Sequence, residues 1–180
     1  MMKSKNIAIS ALFITFMTIG AFVKIPGPLL PMTLQTFFAV FGALLLKGKH
    51  ILVSMSLYIL IGLIGVPVFS EGGGIGYIIK PSFGFLIGFC IGAYIITCLV
   101  NKSKYTFSHL LLSSFIGLFV IYGIGLLYYF WISKALLQLP LSITKLLMYC
   151  FFLPLPGDIM SCILASILAR RLRPIFQKIF

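Results

Sequence analysis

The chain has 180 residues, 61% of them hydrophobic and only 9% charged, with a mean hydropathy of +1.19. Soluble domains carry about 25% charged residues, so this composition excludes a water-soluble globule and implies an all-α integral membrane protein, with room for about six spans of ~20 apolar residues. Fourteen Lys and Arg against two acids, Glu71 and Asp158, give a formal charge of +12; the basic residues sit between apolar runs, as interfacial anchors do, and not along one face or arm as in a nucleic-acid binder.

The first apolar run, residues 7–23, follows Lys3 and Lys5. Taken alone it could pass for a secretory signal, but it lacks a clear small-x-small cleavage site and five further runs follow, so a retained helix is expected. Residues 24–31 contain three prolines and a glycine and cannot continue a helix, so a stiff extended loop is expected. Runs two (33–46) and three (51–66) form a helical hairpin around Lys47-Gly48-Lys49-His50. The segment 67–81 holds Gly72-Gly73-Gly74 and Gly76, a flexible stretch whose backbone N–H groups can approach a ligand. Run four (82–100) carries Gly84, Gly88 and Gly92 at four-residue spacing, a face of nearly bare backbone suited to close helix packing, within the molecule more readily than between copies. Run five spans 110–131, and the last run, 146–172, is broken by Pro154-Leu155-Pro156-Gly157. Asp158 is therefore expected to open a fresh helix.

Counting basic residues by alternate loops places ten with the two termini, Lys47, Lys49, Lys102 and Lys104, and four with Lys24, Lys80, Lys134 and Lys145. The positive-inside bias then puts both termini in the cytoplasm and the Pro-rich and Gly-rich loops outside, which requires an even number of helices and agrees with six.

Little in the chain suggests catalysis or cofactor chemistry. Cys90, Cys98, Cys150 and Cys162 fall within apolar runs, with no CxxC and no His at ligand spacing, so no metal site is expected. No GxGxxG is present, and residues 42–49 miss the phosphate-binding loop pattern by one residue in spacing, with His50 in place of the Ser or Thr. The chain encodes no ATPase of its own, so energised work of any kind would need a partner or an ion gradient. Asp158 is the most informative residue: an ionisable group inside a transmembrane segment costs several kcal/mol and is rare without a role. It lies twelve residues before Arg170, about 18 Å along a helix and slightly to the outer side of a ~30 Å core. Both a helix-capping role and a ligand-binding role fit it.

Five segments in order resemble a known family: Pro31-Met32-Thr33-Leu34-Gln35-Thr36, Leu63-Ile64-Gly65-Val66-Pro67-Val68-Phe69, the Gly-rich loop, Pro81-Ser82-Phe83-Gly84-Phe85-Leu86-Ile87-Gly88-Phe89, and Leu155-Pro156-Gly157-Asp158. They resemble the substrate-binding S components of energy-coupling-factor (ECF) vitamin transporters, and among these the biotin-specific BioY proteins. The resemblance covers nearly the whole chain. It implies one transmembrane substrate-binding domain over residues 1–180, a six-helix S-component fold in the cytoplasmic membrane, an outward-facing vitamin pocket capped by the first and third loops, and, as partners, a transmembrane coupling protein and an ATPase pair. Coupling in the family uses small residues on the first helix, which Ala11 and Thr15 match. Three features depart from the pattern: Ser161 stands where many members have lysine, the Gly-rich loop is one residue short, and Leu86 stands where some have arginine.

For biotin as the implied ligand, Asp158 can accept from a ureido N–H and Ser161, one turn on, can donate to the ureido carbonyl. Tyr77, Phe83 and Phe85 are candidates to pack the ring, backbone N–H groups near Gly73 and Gly74 to meet the chain, and Lys80 to hold the carboxylate. An S component for another vitamin or small heterocycle would share these features. A proton-coupled carrier or a membrane enzyme fits less well, because one intramembrane acid without a nearby His supplies neither paired carboxylates nor a nucleophile with its base.

Overall fold

The computed structural model describes residues 4–101, 105–138 and 142–179, with side chains described between Ile7 and Arg173. Helix α1 (Ser4–Phe22) is followed by two short strands, β1 (Lys24–Ile25) and β2 (Met32–Thr33), then α2 (Gln35–Leu45), α3 (Gly48–Ile64), a 3-10 turn (Ile75–Ile79), α4 (Phe83–Asn101), α5 (Phe107–Ala135), α6 (Ile143–Leu147), a π-helical turn (Met148–Phe152) and α7 (Leu155–Ile179). Among the described residues three segments are long and apolar enough to cross a membrane, Phe83–Asn101, Phe107–Ala135 and Ile143–Arg173; the apolar helices Ile7–Phe22, Gln35–Leu45 and Gly48–Ile64 are shorter. Lys3, Lys102 and Lys104, and the side chains of Lys5 and Lys178, on which part of the charge count rests, lie outside the described residues.

The glycine stripe of α4 packs inside the molecule, against α5. A Cβ added at Gly88 would meet the Ile121 carbonyl oxygen at 2.8 Å, and one at Gly92 would meet that of Gly117 at 2.9 Å. The backbones can approach this closely because Gly88 and Gly92 present no side chain at the contact. Around this pair, α2 packs on α4 and α7, α3 on α4, and α1 on α2 and α3.

Three local features differ from the expectation. The Pro-rich loop does not simply run extended: it folds back so that Lys24 pairs with Thr33 and Ile25 with Met32 in an antiparallel ladder. Helix α3 begins at Gly48, not at residue 51, because the extended Lys47 acts as its N-cap and its carbonyl accepts the N–H groups of His50 and Ile51. The Gly-rich segment is a docked turn: Phe69 and Gly72 exchange both backbone hydrogen bonds, and the Gly74 N–H donates to the Gly62 carbonyl at 2.7 Å. Gly73 allows this docking, since a Cβ there would stand 2.4 Å from the Val66 carbonyl oxygen. Gly72 and Gly74 have φ of 110° and 102°, the left-handed side that glycine alone adopts readily.

The proline break also falls differently. Pro154 has no N–H to give the Cys150 carbonyl, so the preceding turn widens and Leu153 donates to Met148, five residues back, at 3.0 Å. Helix α7 then starts at Leu155, one turn before the expected Asp158, and the Asp158 N–H already donates to Pro154 at 3.0 Å. Asp158 thus sits inside the first turn of α7, with its carboxylate hydrogen-bonded to Thr36 of α2 and Tyr122 of α5.

Candidate functional site

At the end of the bundle where α2, α4 and α7 begin, a cavity of about 310 Å³ is enclosed by β1 and β2 with their connecting loop, the first turns of α2, α4 and α7, Ser70 and Tyr77 of the Gly-rich segment, and Ile121 and Tyr122 of α5. This is the usual size range of a small-molecule site. Its walls are largely apolar, including Leu30, Phe85, Leu86, Phe89 and Ile121, and its charged lining residues are Lys24 and Asp158.

Two polar clusters break the apolar wall. In the first, the Tyr122 hydroxyl donates to Asp158 Oδ2 at 2.5 Å, and the Thr36 hydroxyl is a second hydrogen-bond partner of the same carboxylate. A carboxylate has about four lone-pair positions, so these two donors leave acceptor capacity facing the cavity. Ser161, one turn further along α7, lines the cavity and is 9% exposed, and its hydroxyl has no partner among the described residues. The hydroxyl therefore opens to the cavity, where it can donate to a bound molecule.

In the second cluster the Lys24 ammonium donates to the Ser70 carbonyl oxygen, tying the Pro-rich loop to the Gly-rich segment. The ammonium has three donors, so one such bond leaves two for the cavity. The Ser70 and Tyr77 hydroxyls lie 3.4 Å apart, and Ser82 donates to Glu71 Oε2 at 2.8 Å. Burial raises the Tyr77 phenol above its ordinary value, so it remains a neutral hydroxyl at the loop side of the cavity. Between the clusters, Gln35 is held rigid: its side-chain N–H donates to Tyr58 Oη at 2.8 Å, and Tyr58 donates to the Val68 carbonyl at 2.8 Å.

The sequence-expected residues divide cleanly. Asp158, Ser161, Tyr77 and Phe85 line the cavity together, whereas Gly73, Gly74, Lys80 and Phe83 do not. The Gly74 N–H is taken by Gly62, as above, and cannot also meet a ligand chain. Lys80 turns outward, donating to the Glu71 carbonyl at 2.9 Å with its ammonium 5.0 Å from the Tyr77 ring centre. Phe83 stands behind Tyr77, their ring centres 6.4 Å apart. Leu86 lines the wall as an apolar contact. Ala11 and Thr15 lie outside the cavity, both exposed on α1, where the Thr15 hydroxyl is satisfied by the Ala11 carbonyl at 3.0 Å.

The cavity residues that escape sequence reasoning include Lys24, Gln35, Thr36 and Tyr122. Gln35 and Thr36 fall within a quoted motif but carry no assigned role there, and Lys24 is indistinguishable from an anchor until the loop folds back. Tyr122 had one available signal, since a tyrosine in the middle of a membrane run needs a partner for its hydroxyl.

Comparison with known proteins agrees with this architecture. Residues 1–178 match the model of the BioY family. The chain is 35% identical over 96% of its length, and 88% of the relative's, to a probable biotin transporter BioY of Lysinibacillus sphaericus. It is 36% identical to the biotin transporter BioY of Thermotoga maritima, over 64% of this chain and 69% of that one. Among solved structures, the S-component for biotin from an ECF-type ABC transporter superposes with a TM-score of 0.81 at 25% identity, covering 97% of this chain and 95% of that one. The chain belongs to the BioY family.

Proposed function

We propose that this protein binds biotin in the cavity and delivers it across the cytoplasmic membrane as the substrate-specific S component of an ECF transporter. The observation that carries the reading is the pairing within one largely apolar cavity of an acceptor–donor cluster, Asp158 and Ser161, with a separate cation, Lys24. Biotin is a ureido ring with N–H donors and a carbonyl, an apolar thioether ring, and a chain ending in a carboxylate. Asp158 accepts a ureido N–H, Ser161 donates to the ureido carbonyl, Phe85, Leu86 and Phe89 pack the ring and chain, and Lys24 takes the carboxylate in place of the outward-turned Lys80. The family membership and the names of the relatives support the same ligand.

The chain crosses the membrane six times in this reading, with α6, the π turn and α7 forming one broken crossing and both termini cytoplasmic. Of the three shorter helices, α2 and α3 pack on the longer ones and α1 packs on α2 and α3. The exposed Ala11 and Thr15 form the face that meets a coupling protein, and an ATPase pair supplies the energy. Mass spectrometry of small molecules released from the purified protein tests the ligand: biotin is expected at close to one per chain after growth with biotin, and release of a different heterocycle instead would reassign the substrate.

A further inference from the structure

A second cavity, of about 360 Å³, lies at the other end of the bundle, where α2 and α4 end; it is lined by Lys47, Asn101, Tyr105 and Arg173 against an apolar wall that includes Leu44 and Val100. Three observations distinguish it from an ordinary basic surface. Its two cations come from different elements, the α2–α3 connection and α7. The chain's two acidic side chains, Glu71 and Asp158, are engaged at the opposite end, with Ser82 at the start of α4 and with Tyr122 near the start of α7.

The end of α2 that faces this cavity is chemically quieted. C-terminal carbonyls normally repel an anion. Here the Thr97 hydroxyl donates to the Ala43 carbonyl at 2.7 Å and the Tyr105 hydroxyl to that of Leu44 at 2.6 Å. Burial pushes the Tyr105 phenol up to about 12, against the opposing effect of Arg173, so it stays a neutral donor. The Arg173 guanidinium rests on the Tyr105 ring, 3.4 Å from its centre, and its N–H edges meet no hydrogen-bond acceptor among the described residues. A guanidinium fixed on a ring face presents a planar fork suited to two oxygens of one phosphate.

The depth of the cavity selects the source of that phosphate. Lys47, Asn101 and Arg173 line it beside Leu44, Leu45 and Val100, and charged side chains flanking apolar helices in this way mark the level of lipid headgroups, with the leucine wall toward the acyl region. Basic pockets between helices at this level are where anionic headgroups bind. We propose that this cavity holds the phosphodiester headgroup of one anionic phospholipid, gripped by Arg173 and Lys47, with Asn101 toward the headgroup hydroxyls.

The test uses the full-length protein, delipidated in detergent and offered equal amounts of phosphatidylglycerol and phosphatidylcholine with the same acyl chains. Native mass spectrometry is expected to show one retained phosphatidylglycerol, preferred about tenfold or more, with the preference falling about fivefold in Lys47→Gln and in Arg173→Gln and vanishing in the double variant. Lys134→Gln, near the other end, is expected to change nothing. Equal retention of the two lipids, or an unchanged preference in a folded double variant, would overturn the proposal. Displacement of the lipid by millimolar inorganic phosphate would overturn the lipid assignment in favour of a soluble anion. Should the variants not fold, the wild type decides: its melting temperature should rise with phosphatidylglycerol and not with phosphatidylcholine, and no such difference refutes the site.

Discussion

Replacing Asp158 by Asn removes the charge from the first polar cluster and leaves its shape. The Tyr122 hydroxyl, 2.5 Å from Oδ2, can still donate to the amide oxygen, so the α5–α7 contact survives and the protein should fold. What changes is the side facing the cavity. A carboxylate offers lone pairs in every direction left by Tyr122 and Thr36, whereas an amide that gives its oxygen to Tyr122 turns its NH2 toward the ligand. A ureido N–H then meets a donor. Loss of a hydrogen bond to a charged acceptor is worth about 1.5–3 kcal/mol, which is about 10- to 150-fold in Kd. Ser161→Ala removes only a neutral hydroxyl, about 0.5–1.5 kcal/mol, and should weaken binding about 2- to 12-fold. Isothermal titration of biotin into the purified variants, with melting temperatures to confirm the fold, measures both. A folded Asp158→Asn protein that binds biotin as the wild type does would refute the assignment and return Asp158 to a structural role.

The cation at the second cluster has its own signature: wild type should bind biotin much more tightly than biotin methyl ester, and Lys24→Gln should abolish most of that discrimination, while Lys80→Gln leaves it intact. Gly88→Leu should lower the melting temperature or prevent folding, because the new Cβ falls 2.8 Å from the Ile121 carbonyl oxygen and over-packing of this kind costs about 1–3 kcal/mol. Ala11→Trp and Thr15→Trp, both on the exposed face of α1, should keep biotin binding while uptake and co-purification of the coupling protein and ATPases fall steeply; normal uptake in both places the coupling face elsewhere.

The features legible in the sequence were those whose physics is local. Six apolar runs follow from the cost of placing polar groups in lipid, and the Gly84, Gly88 and Gly92 spacing points to a close helix contact because bare backbone has few other uses in a membrane helix. Asp158 stood out for the same reason, as an acid that lipid would not tolerate without a partner. What was not legible depends on where distant segments meet. Lys24 and Lys80 look alike as loop lysines, and only the pairing of β1 with β2 brings one to the cavity while the docking of the Gly-rich turn on α3 carries the other outward. Gly73 and Gly74 announce backbone that can approach something closely; that their partner is the end of α3 is a tertiary fact. The one-turn error at α7 arose because a proline in the first turn of a helix is tolerated, so Pro156 could not mark a boundary.

The central claim is that the cavity enclosed by the Pro-rich and Gly-rich loops is a biotin site, and equilibrium binding of radiolabelled biotin to ligand-stripped wild-type protein tests it most directly. The account predicts saturation at one biotin per chain with a Kd below about 1 μM, a free energy of more than about 8 kcal/mol drawn from both polar clusters and the apolar wall. Folded protein that shows no saturable biotin binding would contradict it.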